Sequence, residues 1–165
     1  MGKTKTNLEA AFAGESQASR KYFHFAIKAD QEGHAQVAKL FRAAAYAETV
    51  HAGKHLKNMG GIGDTAANLE TAIKGEHYEV TVMYPDFLAD AQVEGESKAE
   101  QGFKWAWEVE KTHEQLYMKA LELLGKAQED VEYYVCSICG HTHVGTPPEK
   151  CPVCGAPRDK FVKMD

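Results

Sequence analysis

The sequence contains one metal-ligand pattern twice: a glutamate followed three positions later by a histidine. Glu48 and His51 stand in "AETVHAGKH", and Glu110 and His113 stand in "EVEKTHEQLY". On an α-helix, side chains three positions apart lie on the same face, about one turn apart. A carboxylate and an imidazole placed in this way can ligate a metal ion together. One such pair carries little weight, but two indicate a shared metal site.

Three further glutamates lie in segments that precede these motifs. Glu15 is flanked by small residues in "AFAGESQASRKY", and Glu76 and Glu79 lie three apart in "GEHYEVTVMYP". Carboxylates that converged in a protein core without cations would repel one another and lose solvation. Carboxylate oxygens combined with two imidazoles favour iron or manganese over zinc or copper. Each glutamate taken singly is more typical of a solvated helix surface, but the joint pattern favours a two-metal site.

All four cysteines lie near the C-terminal end, in two Cys-x-x-Cys pairs that are each followed by glycine. The pairs are Cys136 with Cys139 and Cys151 with Cys154. In a reducing cytosol, such pairs indicate metal ligands more often than disulfides. Taken alone, the four thiolates fit a structural zinc site more often than an iron site.

The first part of the chain is predicted to be an all-α four-helix bundle. Apolar residues at spacings of three and four predict two long helices from residue 7 to about 59, with a break near "DQEGH". A second pair is predicted from about residue 76 to 126, with a break at "VEGES" and "TAANLETAIKG" as a short helical connection. Pro85 predicts a kink or an irregular turn in the third helix. This order of elements is typical of a bundle with one long crossover.

The two halves of this helical region resemble each other. The similarity indicates an internal duplication, and a duplicated hairpin usually builds its site across the pseudo-twofold axis. A shift of 62 positions places Gly95 on Gly33, Phe103 on Phe41, Glu110 on Glu48 and His113 on His51.

The helical pattern stops after Lys126, and turn-forming glycines and prolines dominate the rest of the chain. We therefore predict a bundle over residues 1–126, a linker over 127–132 and a metal-binding domain over 133–165. The last of these is too small to fold on hydrophobic burial alone and needs a metal or an equivalent constraint.

Composition excludes several classes of partner. The net charge of -5 gives no electrostatic case for nucleic acid or an acidic membrane surface. No apolar run approaches the roughly 20 residues of a membrane span, and "MGKTKTNLEA" lacks the apolar core of a secretion signal. We expect a cytoplasmic protein.

Other residues of chemical interest are predicted to be structural. Trp105 and Trp107 in "FKWAWEVE" are expected to pack in the core or at a dimer interface. His55 lies one turn beyond His51 on the same face. It is expected, at most, to contact the metal ligands without being a ligand itself. The histidines that fit no ligand position are His24, His34, His55, His77, His141 and His143.

Over essentially its whole length, the sequence resembles the rubrerythrin family. The motifs that carry the resemblance are "FAGESQASRKY", "AETVH", "GEHYEVTVMYP", "EKTH", "YVCSICG" and "CPVCGAP". The implied fold is an all-α ferritin-like four-helix bundle with a small C-terminal rubredoxin-like metal-binding domain. The implied cofactors are two Fe in an oxo/carboxylate-bridged di-iron site and one Fe held by four cysteines, per chain.

The resemblance also assigns roles to residues. Glu48 and Glu110 would bridge the two irons, and His51 and Glu79 would exchange at one iron as its oxidation state changes. Tyr22 and Tyr84 match tyrosines that lie beside the ligands in the family. The implied di-iron ligands are Glu15, Glu48, His51, Glu76, Glu79, Glu110 and His113, and the implied ligands of the third iron are Cys136, Cys139, Cys151 and Cys154.

The implied function is a non-haem di-iron peroxidase that reduces hydrogen peroxide to water in oxidative-stress defence. Electrons would enter through the rubredoxin-like iron from an external donor, either an NAD(P)H-dependent reductase or rubredoxin. Within one chain the two sites are expected to be too far apart, which implies a head-to-tail homodimer, with helix exchange left open. The alternatives are a ferroxidase or iron-sequestering ferritin-like protein, and a zinc-ribbon interaction protein whose glutamates are merely solvated.

Overall fold

The computed structural model describes residues 2–127 and 129–165, and the chain divides into two compact units. The first unit is Met1–Gly63 and the second unit is Asp64–Asp165. The predicted linker over 127–132 includes residue 128, which lies outside the described residues.

The first unit is a hairpin of two long helices, α1 (Lys3–Gln31) and α2 (Ala35–Asn58). The predicted break between them is confirmed: Gly33 occupies the left-handed region at φ 81°, which lets the chain reverse. Helix α2 buries an alanine every seven residues, at Ala38, Ala45 and Ala52. Because the distance between packed helices depends on the side chains at their contact, these small residues allow close approach.

The second unit begins with one continuous helical rod over residues 65–94, made of α3 (Thr65–Tyr78), a π-helical turn (Glu79–Met83) and α4 (Tyr84–Glu94). The Asp64 side chain caps its start by accepting a hydrogen bond from the Ala67 N–H at 2.9 Å. The prediction of a separate connection and a third helix starting near residue 76 is therefore wrong. Gly75, the last residue of the predicted connection, lies inside α3.

The irregular turn predicted from Pro85 is confirmed, since the π-helical turn ends at Met83, two residues before that proline. The predicted break at "VEGES" is confirmed too, because Gly95 ends α4 in the left-handed region at φ 74°. Helix α5 (Ser97–Leu123) then packs against α3 and α4.

The C-terminal part of the second unit is a small three-stranded antiparallel sheet of order β2-β1-β3. Its strands are β1 (Tyr133–Cys136), β2 (Thr142–Val144) and β3 (Phe161–Met164). We call residues 133–165 the cysteine module. Its most buried residues include two of the cysteines and His141, so its interior is built around the thiols. Strand β2 contacts α5, which places the cysteine module beside a helix that carries predicted ligands.

Candidate metal centres

The first Glu/His cluster lies in the first unit and consists of Glu15, Glu48 and His51. One ligand atom from each side chain lies within 4.8 Å of the others. The Nδ1 atom of His51 is 3.2 Å from the Glu48 carboxylate and 3.6 Å from that of Glu15. A hydrogen bond with Glu48 raises the pKa of Glu15, and the same bond, together with one from His51, lowers the pKa of Glu48. The opposite shifts mean that a proton is held more readily by Glu15 than by Glu48.

The second Glu/His cluster lies in the second unit and consists of Glu76, Glu110 and His113. Their ligand atoms also converge within 4.8 Å. The Nδ1 atom of His113 is 2.7 Å from the Glu110 carboxylate and 4.0 Å from that of Glu76. Burial raises the pKa of Glu76 to about 7, and its hydrogen bond with Glu110 adds to the effect. Burial alone would also raise the pKa of Glu110, but hydrogen bonds with His113 and Glu76 outweigh it and lower that pKa.

Glu79 is the predicted ligand that lies outside these compact clusters. It is the first residue of the π-helical turn and is half-buried. Burial, followed by the charge of Glu110, raises its pKa, so its carboxyl group belongs to the electrostatic surroundings of the second cluster.

The two predicted tyrosines occupy equivalent places in the two units. Tyr22 lies 6.1 Å from Phe41 between ring centroids, and Tyr84 lies 6.4 Å from Phe103. Both pairs are related by the same shift of 62 positions as the Glu/His motifs. Burial raises the pKa of Tyr84, and the negative charges of Glu110, Glu79 and Glu76 raise it further. The phenol of Tyr84 therefore stays protonated near the second cluster.

The π-helical turn compensates for one extra residue in the second unit. Glu15 precedes Tyr22 by seven residues, whereas Glu76 precedes Tyr84 by eight. A π-helical turn takes up one residue more than an α-helical turn, so the extra residue does not rotate Tyr84 off the face that carries Glu76. The Trp107 N–H donates to the Val80 carbonyl at 2.8 Å, which satisfies a backbone acceptor within the irregular turn. Trp107 therefore stabilises the irregular turn. The sequence predicted only a packing role for this residue.

The pKa of Glu76 predicts how the stability of the metal-free protein depends on pH. Between about pH 4.5 and about 7, the folded state keeps a proton on Glu76 that the unfolded state has released, so stability falls as pH rises. His113, whose pKa is raised by its hydrogen bond to Glu110, acts in the same direction. We expect the melting temperature, followed by helical circular dichroism, to fall across this window and to fall less in Glu76→Gln. Glu70→Gln, on the same helix and exposed, is the control; a rise in stability across the window would contradict this expectation.

The four cysteines converge into a third cluster inside the cysteine module. The Sγ atoms are 3.7 Å apart for Cys136 and Cys154 and 3.6 Å apart for Cys139 and Cys151. These spacings match the roughly 3.8 Å between thiolates that each lie about 2.3 Å from one tetrahedral metal ion. A disulfide would bring the sulfurs to about 2.05 Å. The cluster is therefore shaped for a metal ion.

Backbone amides point at these sulfurs. The N–H groups of Ile138 and Cys139 donate to Cys136, and these bonds lower the pKa of that thiol although burial alone would raise it. The N–H of His141 donates to Cys139, but burial dominates there and raises the pKa. Four converging thiols, two buried and two half-buried, cannot all ionise without a cation, so the module fits a metal that takes thiolate ligands.

One contact of the second cluster could not be predicted from the sequence. The Nε2 atom of His113 lies 2.9 Å from the Oγ1 atom of Thr142, in strand β2 of the cysteine module. Sequence reasoning placed the cysteine site out of reach of the di-iron ligands within one chain. This contact brings strand β2 of the cysteine module to His113 within the second unit, and the head-to-tail dimer stays a prediction.

Two histidines that were predicted to be structural have notable surroundings. His77 Nδ1 lies 2.8 Å from the Glu114 carboxylate, on the second unit's helices. His141 is buried, and burial lowers its pKa, so the ring is neutral. Neither falls in a cluster of potential ligands among residues 2–127 and 129–165.

Comparison with known proteins identifies the family. A family profile described as Rubrerythrin matches residues 6–121, and one described as the rubredoxin-like domain of rubrerythrin matches residues 134–162. The first match alone covers well over half of the chain. This chain belongs to the rubrerythrin family.

Relatives within the rubrerythrin family match nearly the whole chain. Nigerythrin of Nitratidesulfovibrio vulgaris is 39% identical over 98% of this chain and 86% of its own. Rubrerythrin-2 of Clostridium acetobutylicum is 33% identical over 93% of this chain and 92% of its own. The solved structure of fully reduced, all-ferrous nigerythrin has a TM-score of 0.60 at 36% identity and covers 99% of this chain and 88% of that one.

Family membership confirms the predicted fold class and cofactors. The fold is that of the ferritin-like helical proteins with a C-terminal rubredoxin-like domain, and the cofactors are a di-iron site and one iron held by four cysteines. The chain is a rubrerythrin-family di-iron protein of oxidative stress. In the described ranges, no helix combines the length and apolarity needed to span a lipid bilayer.

The residues present fit these metals. In each Glu/His cluster, one proton relieves the repulsion between two carboxyl groups, and a metal cation can replace that proton. The donors are carboxylate oxygens and imidazole nitrogens, which suit iron. The third cluster offers four sulfurs at tetrahedral spacing.

Proposed function

We propose that this chain is a cytoplasmic, NAD(P)H-linked di-iron peroxidase, which reduces one hydrogen peroxide with two protons and two electrons to two waters. The observation that carries the proposal is that the carboxylate-rich clusters share the chain with a four-thiol site. When bound, the two bundle irons supply two electrons to peroxide, and the thiolate-bound iron relays replacements singly from an external reductase or rubredoxin. Iron storage has no evident use for such an electron-entry site, which favours a peroxidase over a ferroxidase.

The two Glu/His clusters would together hold the iron pair. Glu48 and Glu110 are suited to bridge, because each contacts the histidine three positions later and also a glutamate on a neighbouring helix. The remaining ligand roles fall on Glu15, His51, Glu76, Glu79 and His113. The four-thiolate iron would be held by Cys136, Cys139, Cys151 and Cys154.

The protonated groups near the second cluster would handle the protons and the orientation of peroxide. Tyr84 keeps its phenolic proton, because burial and three carboxylates disfavour the phenolate. Its O–H can therefore donate a hydrogen bond to a peroxide oxygen, or transfer a proton as that oxygen gains charge. Tyr22 is the equivalent group in the first unit.

Glu79 would be the ligand that exchanges with His51. Its carboxyl group lies on the π-helical turn, and burial and Glu110 favour its protonated form in the absence of metal. A carboxyl group whose ionised form is disfavoured by its surroundings can leave a metal ion more readily as the ion's charge changes. A head-to-tail homodimer, with or without helix exchange, stays part of the proposal.

The test is a comparison of oxidants. The purified protein is reduced anaerobically and mixed in a stopped-flow device with peroxide or with oxygen at equal concentration. We expect peroxide to reoxidise the bundle irons at least about tenfold faster, a difference of about 1.4 kcal/mol in activation free energy. Reoxidation by peroxide that is no faster than by oxygen would favour the ferroxidase alternative.

A further inference from the structure

The cysteine module reaches the second Glu/His cluster through one side chain, Thr142. Its Oγ1 atom lies 2.9 Å from Nε2 of His113. Thr142 directly follows His141, whose backbone N–H donates to the Sγ atom of Cys139. The same short segment therefore touches a thiol ligand at one end and an imidazole ligand at the other.

The two nitrogens of His113 face different partners. Nδ1 faces the carboxylates of Glu110 and Glu76, at 2.7 and 4.0 Å, and is the nitrogen placed to ligate a metal. With Nδ1 on a metal ion, Nε2 carries the ring proton and can donate a hydrogen bond to the Thr142 hydroxyl, 2.9 Å away. Histidine ligands usually donate their second ring N–H to a fixed acceptor, which sets the tautomer and the ring orientation. Here the acceptor belongs to the cysteine module.

Strand β2, which carries Thr142, contacts α5, and residues of the module border α5 on both sides of His113. Towards the start of α5, Val153 of the second cysteine pair lines a cleft together with Trp105. Towards its end, Tyr133 and Val144 line a cavity of about 340 Å³ together with Leu116. The position of the Thr142 hydroxyl thus depends on the folded module, and the module is too small to fold without its own metal.

We propose that Thr142 is a positioning residue for His113, so that metal binding in the cysteine module raises the affinity of the second Glu/His cluster for metal. The proposal rests on the assignment of His113 as a ligand. Because such coupling is reciprocal, metal in the second cluster also favours docking of the module on α5.

The test measures Co²⁺ affinity by optical titration of the full chain with zinc in the cysteine site. Cobalt bound by carboxylates and imidazoles is distinguishable in the spectrum from cobalt bound by thiolates. We expect Thr142→Val to weaken Co²⁺ binding in the helices by about tenfold or more, the range for loss of a partner to a metal-ligating histidine. The Thr142→Ser variant keeps the hydroxyl, so its Co²⁺ affinity should stay within about threefold of that of the unmodified chain. Thr146→Val, an exposed threonine of the same module, is the matched control.

A second variant keeps the proposal testable if Thr142→Val disturbs the fold. The double change Cys136→Ser and Cys139→Ser removes metal from the module and should weaken Co²⁺ binding in the helices at least as much as Thr142→Val. Equal Co²⁺ affinity in Thr142→Val and the unmodified chain, at equal helical content, would overturn the positioning role alone. Absence of Co²⁺ binding to the helices of the unmodified chain would overturn the ligand assignment as well.

Discussion

Replacing Glu110 with glutamine is expected to remove the two bundle irons while leaving the four-cysteine iron in place. Glu110 lies 2.7 Å from His113 and shares a hydrogen bond with Glu76, and these two bonds keep its pKa low. Glutamine has no charge with which to hold a cation and leaves Glu76 without its ionised partner. Loss of a partner of a metal ligand typically lowers metal affinity by up to about a hundredfold, so loss of a charged ligand should lower iron affinity by roughly a hundredfold or more. Iron analysis should give about one iron per chain instead of three, with peroxide turnover lost in proportion.

The matched control for this substitution is Glu108→Gln on the same helix. Glu108 forms an ion pair with Lys111 at 2.7 Å and its side chain is 44% exposed, so its loss should change neither iron content nor turnover. The red colour of a ferric four-thiolate site reports separately on the third iron in both variants. Three irons per chain in Glu110→Gln would show that Glu110 is not a ligand.

The parts of the site that the sequence predicted are those fixed by local spacing. A glutamate and a histidine three positions apart must share a helix face, and Glu48/His51 and Glu110/His113 do so. Two Cys-x-x-Cys pairs can close on one ion with little help from the rest of the fold, and the sulfurs converge as expected.

Pro85 predicts an irregular turn in this helix. The sequence also contains a second, stronger indication of that turn. The shift that relates the two halves is 61 positions for Glu15 and Glu76 but 62 for Tyr22 and Tyr84. A change of one in the repeat offset marks one inserted residue, and a continuous helix accommodates that residue as a π-turn. The third helix does not start near residue 76, because Gly75 lies inside α3, where the Asp64 cap and the surrounding helix-forming residues outweigh the small cost of a glycine.

The contacts of Thr142 and Trp107 could not be predicted, because they depend on tertiary packing between segments far apart in sequence. Thr142 meets His113 only once β2 has paired with β1 and the sheet has packed on α5. Trp107 meets the Val80 carbonyl only because α5 lies beside the irregular turn. Neither residue belongs to a motif, and threonine and tryptophan carry no distinctive ligand chemistry.

Replacing the iron of the cysteine module with zinc is expected to abolish reductase-driven turnover while leaving the helical site able to react once. Zinc fills the same four-thiolate geometry but has no accessible second oxidation state, so it preserves the fold of the module and removes only its electron relay. With NADH and a flavin reductase as the electron source, we expect peroxide reduction to fall by about a hundredfold or more, roughly 2.7 kcal/mol.

The single-turnover control separates electron entry from the chemistry at the helices. When the zinc form is loaded with iron in the helices and reduced chemically, peroxide should reoxidise that iron within about threefold of the all-iron rate, a difference under about 0.7 kcal/mol. This follows because zinc keeps β2 folded, and Thr142 stays beside His113 at 2.9 Å. If the zinc form instead turned over at the normal rate with NADH, electrons would reach the Glu/His clusters without the four cysteines. If the zinc form also failed in single turnover, the iron of the module would affect the reaction at the helical site by more than keeping the module folded.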